Sequence, residues 1–178
     1  MTVRKHHGEG FDAPCRPLRA RAQRTTGRRP AGLGRHRAGR RRRAGVAAPA
    51  SPLCTQQSTL AGTHLSDKQI AQYARNNGGL HGNGLVISIA VALAESQGWT
   101  KAVLINTDCS RDRGVWQINS RWHSEVSDAQ AFNPATCAQQ AARISSNGSD
   151  WTPWTTYNNG AYNQYMSRAR TAASQVGG

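Results

Sequence analysis

Asn106-Thr107-Asp108-Cys109-Ser110-Arg111-Asp112-Arg113-Gly114-Val115-Trp116-Gln117-Ile118-Asn119-Ser120-Arg121-Trp122 is the stretch on which the reading of this chain turns. Two short apolar segments, Val103-Leu104-Ile105 and Gly114-Val115-Trp116-Gln117-Ile118, flank a polar turn at Asn106–Ser110, which predicts a small antiparallel hairpin. Asp112 follows a turn rich in hydrogen-bonding groups (Thr107, Asp108, Ser110), a setting that suits an ionised carboxylate. Taken alone, Asp112 reads equally as a turn residue pairing with Arg111 or Arg113.

Upstream, Asn83 to Gln97 is apolar nearly all round (Leu85, Val86, Ile87, Ile89, Ala90, Val91, Leu93), the pattern of a helix at the centre of a domain, and Gly98 stops it. Glu95 falls on its last turn. Desolvation there favours the neutral carboxyl, and a carboxyl that keeps its proton near neutral pH is what a general acid requires. The plainer reading is a glutamate facing solvent at a helix end. Before this helix, Ser66 caps another that starts at Asp67, with Ile70, Tyr73 and Ala74 on one face and Asn76-Asn77-Gly78-Gly79 ending it. Beyond the hairpin, Pro134–Ile144 and Gly160–Ala173 read as helices, with Trp151, Trp154 and Tyr157 between them. The fold class is α+β, mainly α, with one small β element and no internal repeats.

The net charge of +14 suggests nucleic acid until it is located. Residues 1–50 hold 14 Lys/Arg against Glu9 and Asp12, whereas residues 51–178 hold nine against seven acids. The basic segment, ending in Arg40-Arg41-Arg42-Arg43, has too few large apolar side chains to offset chain entropy, so we expect no folded core there. We place a linker at 51–62 and the folded domain at 63–178. The longest apolar run, around Leu85–Ala94, is about ten residues, short of the roughly 20 a membrane span needs. Cys15, Cys54, Cys109 and Cys137 form no CxxC pair and have no His cluster, so neither zinc nor another metal is expected, nor any organic cofactor. A disulfide between Cys109 and Cys137 is one reading, resting on compartment rather than spacing; two buried thiols is the other.

The quoted stretch resembles the hairpin of animal (c-type) lysozymes, whose pattern is Asn-Thr-Asp-Gly-Ser, any residue, Asp, any residue, Gly, two residues, then Gln-Ile-Asn-Ser-Arg-Trp. The family's acid lies 17 positions before its Asp, as Glu95 does before Asp112, with Ser following the Glu in both. The resemblance implies a lysozyme-like fold with the hairpin beside the catalytic helix, and roles for individual residues. Glu95 would protonate the glycosidic oxygen and Asp112 would stabilise or trap the oxocarbenium-like centre. Asn106, Gln117 and Asn119 match positions lining the family's cleft, and Trp122 matches an aromatic sugar platform. Indole faces suit the apolar faces of pyranose rings, although ordinary packing is the simpler role for a tryptophan.

The remainder departs from animal lysozymes: their dense cysteine framework is missing and position 123 is His. Ala94-Glu95-Ser96-Gln97-Gly98, Gly114-Val115-Trp116-Gln117-Ile118 and Trp154-Thr155-Thr156-Tyr157-Asn158-Asn159-Gly160 instead resemble, in order, the Glu-Ser-x-Gly, Gly-Leu-x-Gln-Ile and Tyr-Asn-x-Gly motifs of bacterial soluble lytic transglycosylases. By that resemblance Tyr157 would lie close to Glu95 and hold or polarise it; a core aromatic is the alternative.

Together these resemblances imply cleavage of the β-1,4 bond between N-acetylmuramic acid and N-acetylglucosamine. With Asp112 at work the product is a hydrolysed, reducing sugar; without it, a 1,6-anhydro sugar. A non-catalytic wall-binding or phage-tail component is a further reading, which the presence of Glu95 and a partner acid disfavours. The expected partner is a peptidoglycan glycan strand, with no nucleic acid and no membrane span. We expect a monomer of bacterial or phage origin acting outside the cell or at the wall.

A wall enzyme needs export, yet residues 1–50 contain no apolar export signal. Either they are a basic arm for anionic polymers, or the start is misassigned and a true signal peptide replaced; we favour the second. Mass spectrometry of the native N-terminus should therefore find no peptide from Arg19–Arg43, and recovering such peptides would establish the basic arm.

Overall fold

The computed structural model describes residues 53–178; the Arg-rich segment 1–50 and the first two linker residues lie outside them. Capping sets the first helix. The Ser66 hydroxyl accepts the Gln69 N–H at 3.3 Å, and the Gln69 side-chain oxygen accepts the Ser66 N–H at 2.9 Å, a reciprocal box that starts α1 (Asp67–Gln72). The helix widens into a π turn (Tyr73–Asn77) and stops at Gly78, burying Ile70, Ala71 and Ala74. The central helix α2 (Gly82–Ser96) buries Leu85 and every residue from Ser88 to Leu93, as its uniform apolarity predicts. Gln97 ends it in the left-handed region (φ 53°), followed by Gly98 (φ 87°).

The expected hairpin is part of a larger sheet. Strands β1 (Gln57–Thr59), β2 (Val103–Ile105), β3 (Arg111–Arg113) and β4 (Ile118–Asn119) pair antiparallel in that order. The partner of β2 is therefore Arg-Asp-Arg and not the apolar run Gly114–Ile118, with Leu104 opposite Asp112. Gly114 breaks the strand at φ 75°, and a Cβ there would lie 1.9 Å from the Ala131 carbonyl oxygen. Val115 and Trp116 leave the strand and enter the core instead, both fully buried. Their hydrophobicity reports burial in a turn between β3 and β4, not strand pairing.

The described part of the segment read as a linker, residues 53–62, belongs to the domain. β1 adds to the edge of β2, the Lys101 N–H donates to Ala61 O and the Thr100 N–H to Thr63 O. The expected Cys109–Cys137 disulfide does not form, because Cys109 bonds Cys54 at the start of that segment. Cys137 is a free thiol buried on α4, and burial pushes its pKa up to about 11. Cys109 itself has φ 65°, a left-handed position that favours glycine.

Downstream, the short helix α3 (Asp128–Phe132) carries a second capping box, Ser127 with Gln130. The Ser-x-x-Gln spacing was its sequence signal. α4 (Pro134–Ile144) has the expected bounds, with Asn133 capping it and Pro134 in its first turn. The expected helix over 160–173 is divided, with a 3-10 segment (Ala161–Tyr165) leading into α6 (Met166–Ser174), while Thr155–Asn158 forms one turn, α5. α6 and the 3-10 segment pack on α2, so α2 is central to a mainly helical domain with a small antiparallel sheet at one side. No helix among the described residues is long and apolar enough to cross a membrane.

The disulfide spans 55 positions, and closing a loop of that size lowers the entropy of the unfolded chain. Cys54→Ala should therefore cost about 4 kcal/mol. Adding Cys109→Gly should return about 1 kcal/mol, because glycine accepts the left-handed backbone without a side-chain penalty. Guanidinium unfolding of the two variants measures both effects.

Candidate active site

Three separate segments meet at Glu95, and each is anchored to α2. The Ser96 hydroxyl donates to Val115 O at 2.7 Å and accepts the Gly98 N–H at 3.1 Å, fixing the end of α2 against the β3–β4 turn. The Trp116 indole N–H reaches the Ser88 hydroxyl and carbonyl at 3.0 and 3.1 Å. The Trp154 indole N–H then donates to Trp116 O at 2.7 Å, which places the start of α5 beside α2. From there Thr156 donates its hydroxyl proton to Glu95 Oε1 at 2.7 Å.

Burial raises the Glu95 pKa; the Thr156 bond opposes this, and the negative charge of Asp112 adds to the rise. The neighbouring carboxylate is held differently. Asn119 donates to Asp112 Oδ1 at 2.7 Å and Asn106 to Oδ2 at 3.1 Å, so both oxygens accept an amide N–H, the bonding pattern of an ionised group. Ser110 Oγ lies within 3.1 Å of the Asn106 amide and 3.2 Å of the Asn119 amide, and donates to Asp108 at 2.6 Å. Those Ser110 bonds and Arg121 hold the Asp108 carboxyl down at about 2.

Among the described residues, arginine pairs with Asp67, Asp108, Glu125 and Asp128. Among the described residues, neither Glu95 nor Asp112 has a Lys or Arg within salt-bridge distance. The two carboxyls thus differ in surroundings, Glu95 desolvated and Asp112 cradled by amides.

Asn119 also accepts the backbone N–H groups of Arg121 and Trp122, at 2.8 and 3.2 Å. One side chain therefore links Asp112 to the segment presenting Trp122, whose side chain is 77% exposed, an open aromatic face for a large tryptophan. Gln117 has a different task. Its amide donates to Ala102 O and Gly114 O at 3.0 and 2.8 Å, closing the β3–β4 turn with its own backbone at φ 46°.

Tyr157 stacks on Tyr162 with ring centroids 4.9 Å apart and packs against the core. The hydrogen bond to Glu95 comes from its neighbour Thr156, which reading the sequence missed. The only pointer was its position beside the Tyr-Asn-Asn-Gly stretch, where a threonine carries no signal of its own. The sequence placed Ser110 in the hydrogen-bonding turn before Asp112, whereas the Asp128 pairing to Arg111 and Arg113 left no signal there.

A central helix ending in an acid, facing a small sheet that carries a second acid, defines a lysozyme-like domain. Residues 71–156 match the SLT family described as a lysozyme-like domain, a span from α1 through Thr156 that contains both carboxyls. The match, over about half of the chain, supports a lysozyme-like assignment, and such a domain suggests a muramidase or a lytic transglycosylase. No curated protein and no solved structure matches the chain.

The raised pKa has a consequence for stability. Folded Glu95 holds its proton more tightly than unfolded Glu95, so between the ordinary carboxyl range and the raised value the folded state binds more protons. Stability is therefore lost as pH rises through that window. Glu95→Gln removes the loss while keeping an acceptor for Thr156. The variant should be more stable than the wild type above the window, with the difference fading below the ordinary carboxyl range. Urea midpoints over an acid-to-neutral series check this; a pH-independent difference would contradict a buried acid at Glu95.

Proposed function

We propose that the protein cleaves the β-1,4 bond between N-acetylmuramic acid and N-acetylglucosamine of peptidoglycan, with Glu95 as general acid and Asp112 assisting as a muramidase. The contrast between the two carboxyls carries this reading: one is desolvated and biased towards its proton, the other accepts an N–H at each oxygen. Glycosidases use such a pair across the scissile bond.

Glu95 gives its proton to the glycosidic oxygen as the bond from that oxygen to C1 breaks. The positive charge developing at C1 is stabilised by the Asp112 carboxylate. Water then attacks C1 and returns a proton to Glu95, leaving a reducing sugar. Trp122, held beside the pair through Asn119, provides an apolar platform for a pyranose ring. Thr156 fixes the Glu95 carboxyl through Oε1. The Cys54–Cys109 disulfide supports a site of action outside the reducing cytoplasm, as a wall substrate requires.

The second reading is a lytic transglycosylase, favoured by the SLT family match and by the Tyr157-Asn158-Asn159-Gly160 stretch beside Thr156. In that reaction the C6 hydroxyl of muramic acid attacks C1, and Glu95 removes its proton, giving a 1,6-anhydro product without water.

Digests of purified peptidoglycan separate the two. Reducing muropeptides are expected, and anhydro-muropeptides as the main product would replace the hydrolase reading by the transglycosylase one. Glu95→Gln should lower kcat by at least about 10²-fold while leaving glycan binding intact. Retained turnover would remove Glu95 from the mechanism.

A further inference from the structure

Behind Asp112, on the opposite face of β3, lies an ion cluster that the proposed reaction does not use. Side chains alternate across a strand, so Arg111 and Arg113 point away from the Asp112 side. Both converge on one carboxylate. Arg111 reaches Asp128 at 3.0 and 2.9 Å, and Arg113 reaches it at 2.7 Å. Arg113 is 3% exposed, donates through Nε to Ile118 O on β4 at 3.3 Å, and has one guanidinium nitrogen, Nη2, buried without a partner among the described residues.

As a source of stability this is a poor arrangement. Taking a guanidinium out of water offsets most of what its ion pair returns, and a buried donor without an acceptor adds to the cost. Apolar side chains of the same size would hold β3 to α3 at least as well. What an ion cluster supplies and apolar packing does not is a fixed direction and register. Here it ties three points together: both flanks of Asp112 on β3, the β4 backbone, and the first residue of α3. The same α3 meets the turn after β3 at Gly114, where the Ala131 carbonyl leaves no room for a Cβ. The strand carrying Asp112 is thus backed along its length by α3.

We propose that Asp128 is a positioning residue for the reaction, holding Arg111 and Arg113 so that β3 presents Asp112 to Asn106, Asn119 and the bound glycan. The catalytic part of this inference rests on the reading of Asp112 given above; the structural part does not. Without Asp128 the two guanidinium groups separate, β3 loses its backing, and Asp112 moves relative to its two amide donors.

The test uses the full-length chain and two readouts. Side-chain amide NMR resonances of Asn106 and Asn119 report their bonds to Asp112 without any substrate, and kcat and KM on peptidoglycan report the chemistry. In Asp128→Asn both pairs of resonances should move towards free-amide positions. The kcat should fall on the order of 10- to 100-fold with KM changed by no more than about twofold, as expected for a misplaced reacting group. Asp128→Glu, which keeps a bidentate carboxylate, should recover most of the lost kcat.

Arg113→Met/Asp128→Leu is the control for folding, since it removes a charge of each sign together and keeps apolar volume. It should stay folded and still show displaced Asn106 and Asn119 resonances. Undisturbed resonances in a folded Asp128→Asn or in the folded double variant would overturn the proposal. Unfolding of both variants would also overturn it by making the cluster a structural support. A wild type without turnover whose resonances still respond to Asp128→Asn would defeat the functional reading and leave the positioning intact.

Discussion

The burial of Trp116 is the constraint through which the candidate site comes together. Its indole lies in the core against α2, bonded to Ser88, while its carbonyl accepts the Trp154 indole. Glu95 is one end of this arrangement, seven residues along α2 from Ser88. Asp112 is a second, four residues before Trp116, and Thr156 a third, two residues after Trp154. These three side chains are far apart in the chain and meet because one turn docks on one helix. Ser96, bonded to the Val115 carbonyl next door, makes the docking directional where packing alone would let it slide.

Around this contact the domain separates its charges. Arginines pair with four of the acids among the described residues, one pair closing the turn before β3 and another group backing the strand itself. The two acids at the meeting point are left to their local environments, which differ. Glu95 emerges from an apolar helix and loses water, so its neutral form is favoured; Asp112 lies on β3, where Asn119 of β4 and Asn106 of the preceding turn supply N–H donors. That difference arises from secondary structure: the end of a buried helix offers a carboxylate few donors, whereas a strand flanked by a polar turn and a paired asparagine offers two.

Several expectations failed for a common reason. The apolar run Gly114–Ile118 was read as a strand because hydrophobicity marks burial, and a buried turn shows the same signal. The charged triplet Arg111–Arg113 gave no strand signal, since its faces are set by an ion cluster on one side and amides on the other. The segment before Thr63 looked like a linker because an exposed edge strand such as β1 has no apolar face to reveal. The cysteine pairing went the same way: Cys137 lies on the buried face of α4, and only the added strand brings Cys54 to Cys109.

The sequence by itself determined the elements whose causes are local: the capped start of α1, the buried α2 and its stop at Gln97-Gly98, and the bounds of α4. It also supplied the candidates for the chemistry, since Glu95, Asp112, Asn106 and Asn119 stand at motif spacing within one continuous stretch. The tertiary structure alone decided their partners. Thr156 rather than Tyr157 reaches Glu95, Gln117 closes a turn, Asp128 gathers two arginines, and Cys54 bonds Cys109. The physical reason is range. Capping, periodicity and strand breaking act within a few residues of chain, whereas a hydrogen bond across 61 positions, such as Thr156 to Glu95, depends on how whole elements pack and leaves no trace in local pattern.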